Sequence, residues 1–247
     1  MKHLRLFNTA VISAAAIAAF VPALAQAEPR AVVELFTSQG CSSCPAADKL
    51  IGELAKDPSI VAISVPIDYW DYLGWKDTLA KPRHTARQRG YSAVRGDREV
   101  YTPQAVINGA AHVIGSDRSA IESGIKKTRQ QASTLSVPVK LSLNNEKVDV
   151  AIPAAKESTN AEVWLCAIAK AVPVAIGRGE NRGHTVTYHN VVRRWTKLGA
   201  WNGTAQTFSV PKSDLMHDGV DTVAVLVQGG TIESPGAMLG AALKPLD

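Results

Sequence analysis

The chain has 247 residues, of which 46% are hydrophobic and 20% are charged. This balance is typical of a folded globular protein and excludes an intrinsically disordered one. The formal net charge is +5, but no run of Lys and Arg forms a stripe or a groove. The composition therefore argues against a protein that binds nucleic acid.

Residues 1–27 have the pattern of a secretory signal peptide. Lys2 and Arg5 precede an apolar stretch, and Ala25–Ala27 forms a small-x-small cleavage site. The apolar stretch is shorter than the roughly 20 residues that a membrane helix needs, and no later segment is long and apolar enough to span a bilayer. Cleavage would remove two cations and lower the net charge from +5 to +3. We predict a periplasmic or secreted protein with no membrane span after cleavage; an uncleaved anchor is the alternative.

The first half of the remaining chain alternates strand and helix signals. Apolar residues recur at helical spacing after Pro45, which suits a first helical turn, and Asn108-Gly109 is the turn pair of a β-hairpin. In chain order the sequence predicts a strand at 31–36, a helix at 45–55, a strand at 60–65, two helical pieces between 69 and 91, a hairpin of 104–107 and 111–114, and a helix from 116 or 117 to about 131. This order is βαβαββα.

Beyond residue 136 the pattern changes to short β-rich runs separated by turn residues. The runs cover 137–143, 148–152, 162–169, 185–195, 207–210 and 222–228. Strands at that spacing are typical of a β-sandwich or barrel. We therefore predict a signal peptide at 1–27, an α/β domain at 28–135 and an all-β, sandwich-like domain at 136–247. The glycine-rich segment 177–183 lacks the residues of a phosphate-binding loop, and we expect a long hairpin loop that reaches the first domain.

Cys41 and Cys44 form a Cys-x-x-Cys pair between the first predicted strand and the first predicted helix. At a helix start, unpaired backbone N–H groups and the helix dipole stabilise a thiolate, which lowers the pKa of a cysteine below its free value of about 8.5. Cys41 would then be the exposed nucleophile that attacks a disulfide, and Cys44, one turn further on, would resolve the mixed disulfide. The pattern predicts thiol–disulfide exchange.

The same spacing also occurs in zinc sites and in structural disulfides. A zinc site normally needs two further soft ligands, and the third cysteine, Cys166, has no cysteine or histidine near it in the sequence. A purely structural bridge over so short a loop would add little stability. Cys166 lies in an apolar run and is predicted to be a buried core residue, with a third redox thiol as the alternative. We predict no resident metal and no cofactor.

Thr102-Pro103 precedes the predicted hairpin, and together with the first strand and the Cys-x-x-Cys helix start it makes residues 31–131 resemble the thioredoxin/glutaredoxin superfamily. In that superfamily a cis-proline lies opposite the dithiol, and the backbone of the preceding residue pairs with a bound peptide. The resemblance therefore implies a thioredoxin-like α/β domain in which Thr102 and Pro103 bind substrate. An ordinary proline at a strand edge is the alternative.

A narrower resemblance is to an exported bacterial family of unknown function with a thioredoxin-like domain. The similar segments are Val33–Pro45, Asp68–Asp77, Tyr101–Gln104 and Asn190–Arg193. This resemblance implies a fold and a redox dithiol but no substrate. Ser42-Ser43 stands where thioredoxins carry Gly-Pro and strongly oxidising periplasmic members carry Pro-His, so the direction of electron flow stays open.

Further candidates come from the resemblance and from an aromatic segment. If one extra loop residue is allowed, Glu34 falls where thioredoxins keep a buried acid, which implies a proton acceptor for Cys44; an exposed strand carboxylate is the alternative. Tyr69, Trp70 and Trp75 follow a strand and would form a peptide-binding wall at the carboxyl edge of the sheet, or pack into the core. His84 and the arginines around it are expected on a solvated helix face.

Taken together, these patterns predict an exported thiol–disulfide oxidoreductase that acts on protein thiols and disulfides in the cell envelope through Cys41 and Cys44. One alternative is a non-enzymatic exported binding module with a vestigial dithiol. A second alternative is a Cu(I)-handling protein in which His112 joins the two cysteines.

Overall fold

The computed structural model describes residues 28–155 and 160–246; the predicted signal peptide lies outside these residues. The fold is mixed α/β, with one large sheet and few helices. Its elements are β1 (Ala31–Thr37), α1 (Cys44–Leu54), β2 (Ile60–Pro66), α2 (Pro82–Arg95), β3 (Gln104–Ile107), β4 (Ala111–Ile114), α3 (Arg118–Thr128), β5 (Lys140–Leu143), β6 (Lys147–Ile152), β7 (Ala161–Ala175), β8 (Thr185–Trp201), β9 (Gln206–Pro211), β10 (Thr222–Gly230) and β11 (Pro235–Pro245).

The predicted βαβαββα order of the first half is confirmed, and local sequence explains its boundaries. Pro45 occupies the first turn of α1, where its missing N–H costs no hydrogen bond. Asp117 caps α3, because its side chain accepts a hydrogen bond from the Ala120 backbone N–H. Gly109 has a φ of 67°, the left-handed conformation that the predicted hairpin turn requires.

Two differences from the predicted elements have physical causes. The segment between β2 and α2 contains only the short 3₁₀ turn Asp71–Leu73, because the Asp77 carboxylate binds the backbone N–H groups of Leu79 and Ala80 and holds an irregular loop. The strand β11 was not predicted. It is rich in glycine and alanine rather than in β-branched residues, so its sequence carries a weak strand signal.

Strands from both halves of the chain form one eight-stranded sheet in the order β11-β10-β7-β8-β2-β1-β3-β4. The two halves meet where β2 runs parallel to β8, with Ser64 opposite Val191. At this seam the Ser64 hydroxyl donates to the His189 carbonyl at 2.7 Å, and the Asn190 amide donates to a β2 carbonyl at 2.8 Å. The division at residue 135 stays a prediction, and the two sides of it share a sheet.

Three packed layers bury the faces of this sheet. On the side of the first half, α1 and α3 cover alternate residues of β1, among them Val33 and Leu35. On the opposite face, α2 packs Tyr91 against Val32, Phe36 and residues of β7, β8 and β10. The separate three-stranded sheet β5-β6-β9 covers β7, β10 and β11. No helix in the described part of the chain is long and apolar enough to cross a membrane.

Candidate active site

The Cys-x-x-Cys turn connects the end of β1 to the start of α1. Cys41 and Cys44 are joined by a disulfide, with their Cα atoms 5.4 Å apart. Cys44 is the first residue of α1, and no side chain caps this helix end. The turn is held by backbone hydrogen bonds of 3.2 Å from the Cys41 N–H to the Ser38 carbonyl and from the Cys44 N–H to the Cys41 carbonyl. The disulfide therefore lies at the electropositive end of a helix, as predicted.

A loop from the second half of the chain covers this turn. The Asn181 side-chain amide donates hydrogen bonds of 2.9 Å to the carbonyls of both Gln39 and Cys41. The neighbouring Glu180 carboxylate accepts from the Ser42 backbone N–H at 3.3 Å. Cys41 is only 4% exposed, so the prediction of an exposed nucleophile is wrong for this disulfide form, and Cys44 is fully buried. The glycine-rich segment 177–183 is thus a hairpin loop that reaches the dithiol, as the sequence suggested.

Trp75 forms part of the support for this loop. Its indole N–H donates to the Gln39 side-chain carbonyl at 2.8 Å, next to the Cys-x-x-Cys turn. Gly177 lies against the same ring, and a Cβ at that position would be 3.1 Å from the Trp75 Cζ3. The close approach explains a glycine at this position, because any side chain would push the loop away from the ring.

Trp70 connects the turn to the Thr102-Pro103 segment. The Trp70 indole N–H donates to the Thr102 hydroxyl at 2.8 Å. On its other side Trp70 lies against Gly40, where a Cβ would be 3.1 Å from the Trp70 Cβ. The Thr102–Pro103 peptide bond is cis, as the superfamily resemblance implies. Tyr69 packs against Trp70, with ring centroids 5.9 Å apart.

The structure does not bring Glu34 to the disulfide. Glu34 alternates with Val33 and Leu35 along β1, so its side chain lies on the face opposite α1. There its carboxylate accepts hydrogen bonds of 2.7 and 2.9 Å from Arg87 and a short one from Tyr91. Glu34 is therefore part of a buried ion pair in the core, remote from α1.

The predicted solvated face of α2 is wrong for His84 and Arg87, whereas Arg83 and Arg89 are exposed. Arg87 and His84 are each 1% exposed. The Arg87 guanidinium donates at 2.7 Å to Gln228 of β10, and it stacks between the rings of Tyr91 and Trp195 at 5.0 and 4.5 Å. Partners from β1 and β10 thus compensate the cost of burying this cation.

The carboxylate that shares the face of α1 with Cys44 is Asp48, which the sequence analysis missed. Residues four apart on a helix are neighbours, and Asp48 is only 1% exposed. One of its oxygens accepts from the Thr37 hydroxyl at 2.7 Å, and the other has no hydrogen-bond partner among the described residues. Burial raises the pKa of Asp48 to about 8; the nearby Asp77 raises this pKa further, while the Thr37 hydrogen bond opposes the shift. An acidic residue within the apolar face of α1 was the signal available in the sequence.

A groove opens beside the turn, between α1 and the hairpin of β7 and β8. Its volume is about 510 Å³, and it is lined by Ser42, Pro45, Lys49, Asn181, His184, Thr185, Val186, Thr187 and His189. Gly52 of α1 lets the His189 ring approach so closely that a Cβ there would overlap it. The groove is open to the surface and reaches Ser42 and Pro45, which flank the two cysteines.

The remaining candidates lie elsewhere. Cys166 is a free, buried cysteine, and burial raises the pKa of its thiol. His112 contacts Tyr101 at 3.0 Å and Asp97 at 3.2 Å rather than either cysteine of the turn. Within residues 28–155 and 160–246, no three His, Cys, Asp or Glu side chains are arranged to hold a metal ion.

The fold and the turn define a mixed α/β protein with a disulfide at the start of a sheet-packed helix. Residues 32–228 match the family described as "Protein of unknown function (DUF1223)", and the chain belongs to that family. A crystal structure of an Agrobacterium tumefaciens protein is 33% identical, with 90% of this chain and 97% of that protein aligned at a TM-score of 0.80. HBP35 of Porphyromonas gingivalis is similar in fold, at 14% identity and a TM-score of 0.60 over 89% of this chain and 76% of that one. No curated protein matches the sequence.

Proposed function

We propose that the chain is an exported thiol–disulfide oxidoreductase that acts on protein thiols and disulfides in the cell envelope. The observation that carries this proposal is the Cys41–Cys44 disulfide at the uncapped start of α1. The finer fold that we propose with it is a thioredoxin-like unit at 28–135 followed by a sandwich-like unit at 136–247. Export rests on the signal-peptide pattern of residues 1–27.

The exchange reaction balances within the dithiol and its substrate. In the reducing direction, the Cys41 thiolate attacks one sulfur of a substrate disulfide, and the other substrate sulfur leaves as a thiolate. Cys44 then attacks the Cys41 sulfur, which forms the Cys41–Cys44 bond and releases the second substrate thiolate. The dithiol loses the two electrons that the substrate gains. In the oxidising direction, the same steps run backwards from the disulfide.

In this proposal Asp48 takes the proton of Cys44. Cys44 must be deprotonated before it attacks, and Asp48 is the acidic residue one helical turn further on along the same face of α1. Burial raises the pKa of Asp48 to about 8, which is close to the ordinary pKa of a thiol, about 8.5. Proton transfer between two groups of similar pKa is nearly balanced in either direction. Glu34, which the resemblance implied for this role, is held by Arg87 on the other face of β1.

Thr102 and Pro103 are the proposed substrate-binding segment, supported by an aromatic wall of Tyr69, Trp70 and Trp75. The hydrogen bond from Trp70 to Thr102 supports this part of the proposal, because it ties the segment to the residues beside the turn. Substrate access requires the 177–183 loop to move, since its Asn181 occupies the Cys41 carbonyl. Peptides would then enter from the groove lined by Ser42 and Pro45.

The test is covalent trapping in cells. Cys44→Ser leaves the attacking thiol without its resolving partner, so mixed disulfides with envelope proteins should accumulate and disappear on reduction. Cys41→Ser should trap nothing, and Cys166→Ser is the matched control, because its thiol is buried. If Cys44→Ser traps no partner and the wild-type protein exchanges no disulfides, the proposal is wrong.

The burial of Cys41 favours one second candidate, a binding module in which the disulfide only braces the turn. Against glutathione buffers, a dithiol that works in exchange should titrate between about −120 and −270 mV, whereas a structural bridge lies below about −300 mV. A potential in the lower range, with partner binding retained when both Cys41 and Cys44 are replaced by serine, would select the binding module.

A further inference from the structure

A cleft that the redox proposal does not use lies on the opposite side of β2 from β1, between the start of α2 and the middle of β8. Its volume is about 390 Å³, and it is lined by Lys81, Pro82, Arg83, His84, Arg193, Arg194 and Trp195. We refer to it as the basic cleft. Four of its seven lining residues are permanent cations, and none carries a carboxylate.

None of these four cations is paired with a carboxylate. In the described part of the chain, none of Lys81, Arg83, Arg193 and Arg194 lies within 4.0 Å of a carboxylate oxygen; the ion-paired lysines and arginines there are Arg30, Arg87, Arg95, Arg118 and Lys197. Bringing four like charges together without a counter-charge is unfavourable. A bound anion would remove this repulsion.

Two of the arginines are already held in place by backbone contacts. Arg83 donates to the Trp195 carbonyl at 3.2 Å, and its guanidinium carbon lies 5.1 Å above the Trp164 ring. Arg194 donates to the Asp214 carbonyl. Because each of these bonds uses one N–H of a guanidinium that has five, most donors of both groups have no hydrogen-bond partner in the part of the chain that the structure describes. The rotamer entropy that a ligand would otherwise have to remove is already reduced.

Two residues that line the cleft also carry a buried donor that has no partner among the described residues. The two donors are the Nε–H of Arg193 and the indole N–H of Trp195, and Trp195 is only 5% exposed. A buried N–H without an acceptor is costly. Both groups are donors, so the missing partner is an acceptor rather than a cation.

The N-terminus of α2 adds to the positive electrostatic potential of the cleft. No side chain caps α2, and its first turn contains no acidic residue, so the positive end of the helix dipole at Lys81 is uncompensated. His84 is neutral here, because burial and the nearby Arg87 and Lys81 lower its pKa to about 4. The cleft therefore binds through its four permanent cations and its N–H donors.

We propose that the basic cleft binds a phosphate-bearing anion. Planar guanidinium groups pair with phosphate through two parallel hydrogen bonds, and a phosphate has enough oxygens to meet several arginines at once. The four cations lie around one small cleft and do not form an extended row. The cleft therefore fits one phosphate group rather than the series of phosphates in a nucleic-acid backbone. The phosphate group belongs either to a soluble monoester or to a lipid headgroup. The inference is independent of Cys41 and Cys44.

The experiment measures phosphate binding by the full chain and by charge variants. Inorganic phosphate and glycerol phosphate are titrated calorimetrically at low ionic strength, and vesicles of phosphatidylcholine with and without phosphatidylglycerol are tested by co-sedimentation. Arg193→Gln should weaken binding about tenfold or more, as should Arg194→Gln. Arg129→Gln removes the same charge from an exposed position at the C-cap of α3 and should have no effect.

Each outcome decides the proposal. Saturable binding of the soluble phosphates, lost in Arg193→Gln and kept in Arg129→Gln, supports a monoester site. Binding confined to phosphatidylglycerol vesicles with the same dependence on Arg193 supports a headgroup site. If neither probe binds, or if Arg193→Gln and Arg129→Gln behave alike, the proposal is overturned. Arg194 is exposed, so Arg194→Gln decides the question should Arg193→Gln fail to fold.

Discussion

Replacing Asp48 by Asn should change how the stability of the protein depends on pH. The pKa of Asp48 is raised from 3.8 to about 8, chiefly by burial. Between those two values the folded protein keeps a proton that the unfolded chain releases. The stabilising contribution of this group is therefore complete below pH 3.8 and is lost as the pH rises to about 8.

The size of the effect follows from the two pKa values. Each pH unit between them lowers the free energy of unfolding by up to about 1.4 kcal/mol. Asn cannot ionise, and its carbonyl can still accept the hydrogen bond from Thr37. Its amide N–H groups lack an acceptor, but that cost is the same at every pH. From pH 5 to pH 8 the stability of Asp48→Asn relative to the wild type should rise by about 2 to 4 kcal/mol.

The assay is urea unfolding of both oxidised proteins at pH 5, 6.5 and 8, read by tryptophan fluorescence. Asp218→Asn is the control, because Asp218 is exposed and has a left-handed φ of 55° that Asn tolerates well. The control should track the wild type at every pH. If Asp48→Asn also tracks the wild type, the pKa of Asp48 is not raised in the folded protein, and the match to the pKa of a thiol on which the proposed proton transfer from Cys44 rests is lost.

Three further predictions test the 177–183 loop, the contact between Gly52 and His189, and the ion pair of Glu34 with Arg87. Asn181→Ala removes two hydrogen bonds of about 1 kcal/mol each, so dithiothreitol should reduce the disulfide up to about thirtyfold faster, as read by alkylation and mass. Gly52→Ala should lower the free energy of unfolding by about 2 kcal/mol through overlap with His189, and His189→Ala in the same chain should restore most of it. Glu34→Gln should cost about 3 kcal/mol because it leaves the Arg87 cation buried and unpaired, with no change in the potential of the dithiol.

Controls separate these effects from general damage. Asn145→Ala, in an exposed turn, should leave the rate of disulfide reduction unchanged; if Asn181→Ala does the same, the loop is not the barrier to the thiols. A Gly52→Ala protein that His189→Ala fails to rescue would contradict the steric account. If Glu34→Gln shifts the potential of the dithiol, Glu34 acts on the dithiol, as the resemblance implied, although its side chain lies on the face of β1 opposite α1.

Local signals accounted for most of the first half. Pro45 and Asn108-Gly109 act through their own backbone preferences, so their positions in α1 and the hairpin could be predicted without knowledge of the neighbours. The glycine-rich strand β11 could not be predicted in this way. Gly240 lies so close to the Val137 carbonyl that a Cβ would overlap it, and this tertiary contact determines the residue type.

The site was predictable to the extent that it is local in sequence. The cysteines belong to one turn, and their position at the start of α1 followed from adjacent residues. The residues whose positions were predicted wrongly have partners that are distant in the sequence. Arg87 is buried because Glu34 and Gln228 meet it from β1 and β10, and no periodicity along α2 carries that information. Asp48 does not stand out because α1 is recognised by the spacing of its apolar residues, and an acidic residue does not contribute to that pattern.

The junction of β2 with β8 has a consequence for any shorter version of the protein. All seven residues of Ile60–Pro66 are buried and none is charged. Without the second half of the chain, β2 would become the edge strand of a four-stranded sheet. Its backbone N–H and C=O groups would be unpaired, and the side chains around them are mostly apolar. Such an edge invites intermolecular strand pairing. We therefore expect residues 28–135 to self-associate when they are produced alone, unless charged residues or proline are introduced along β2.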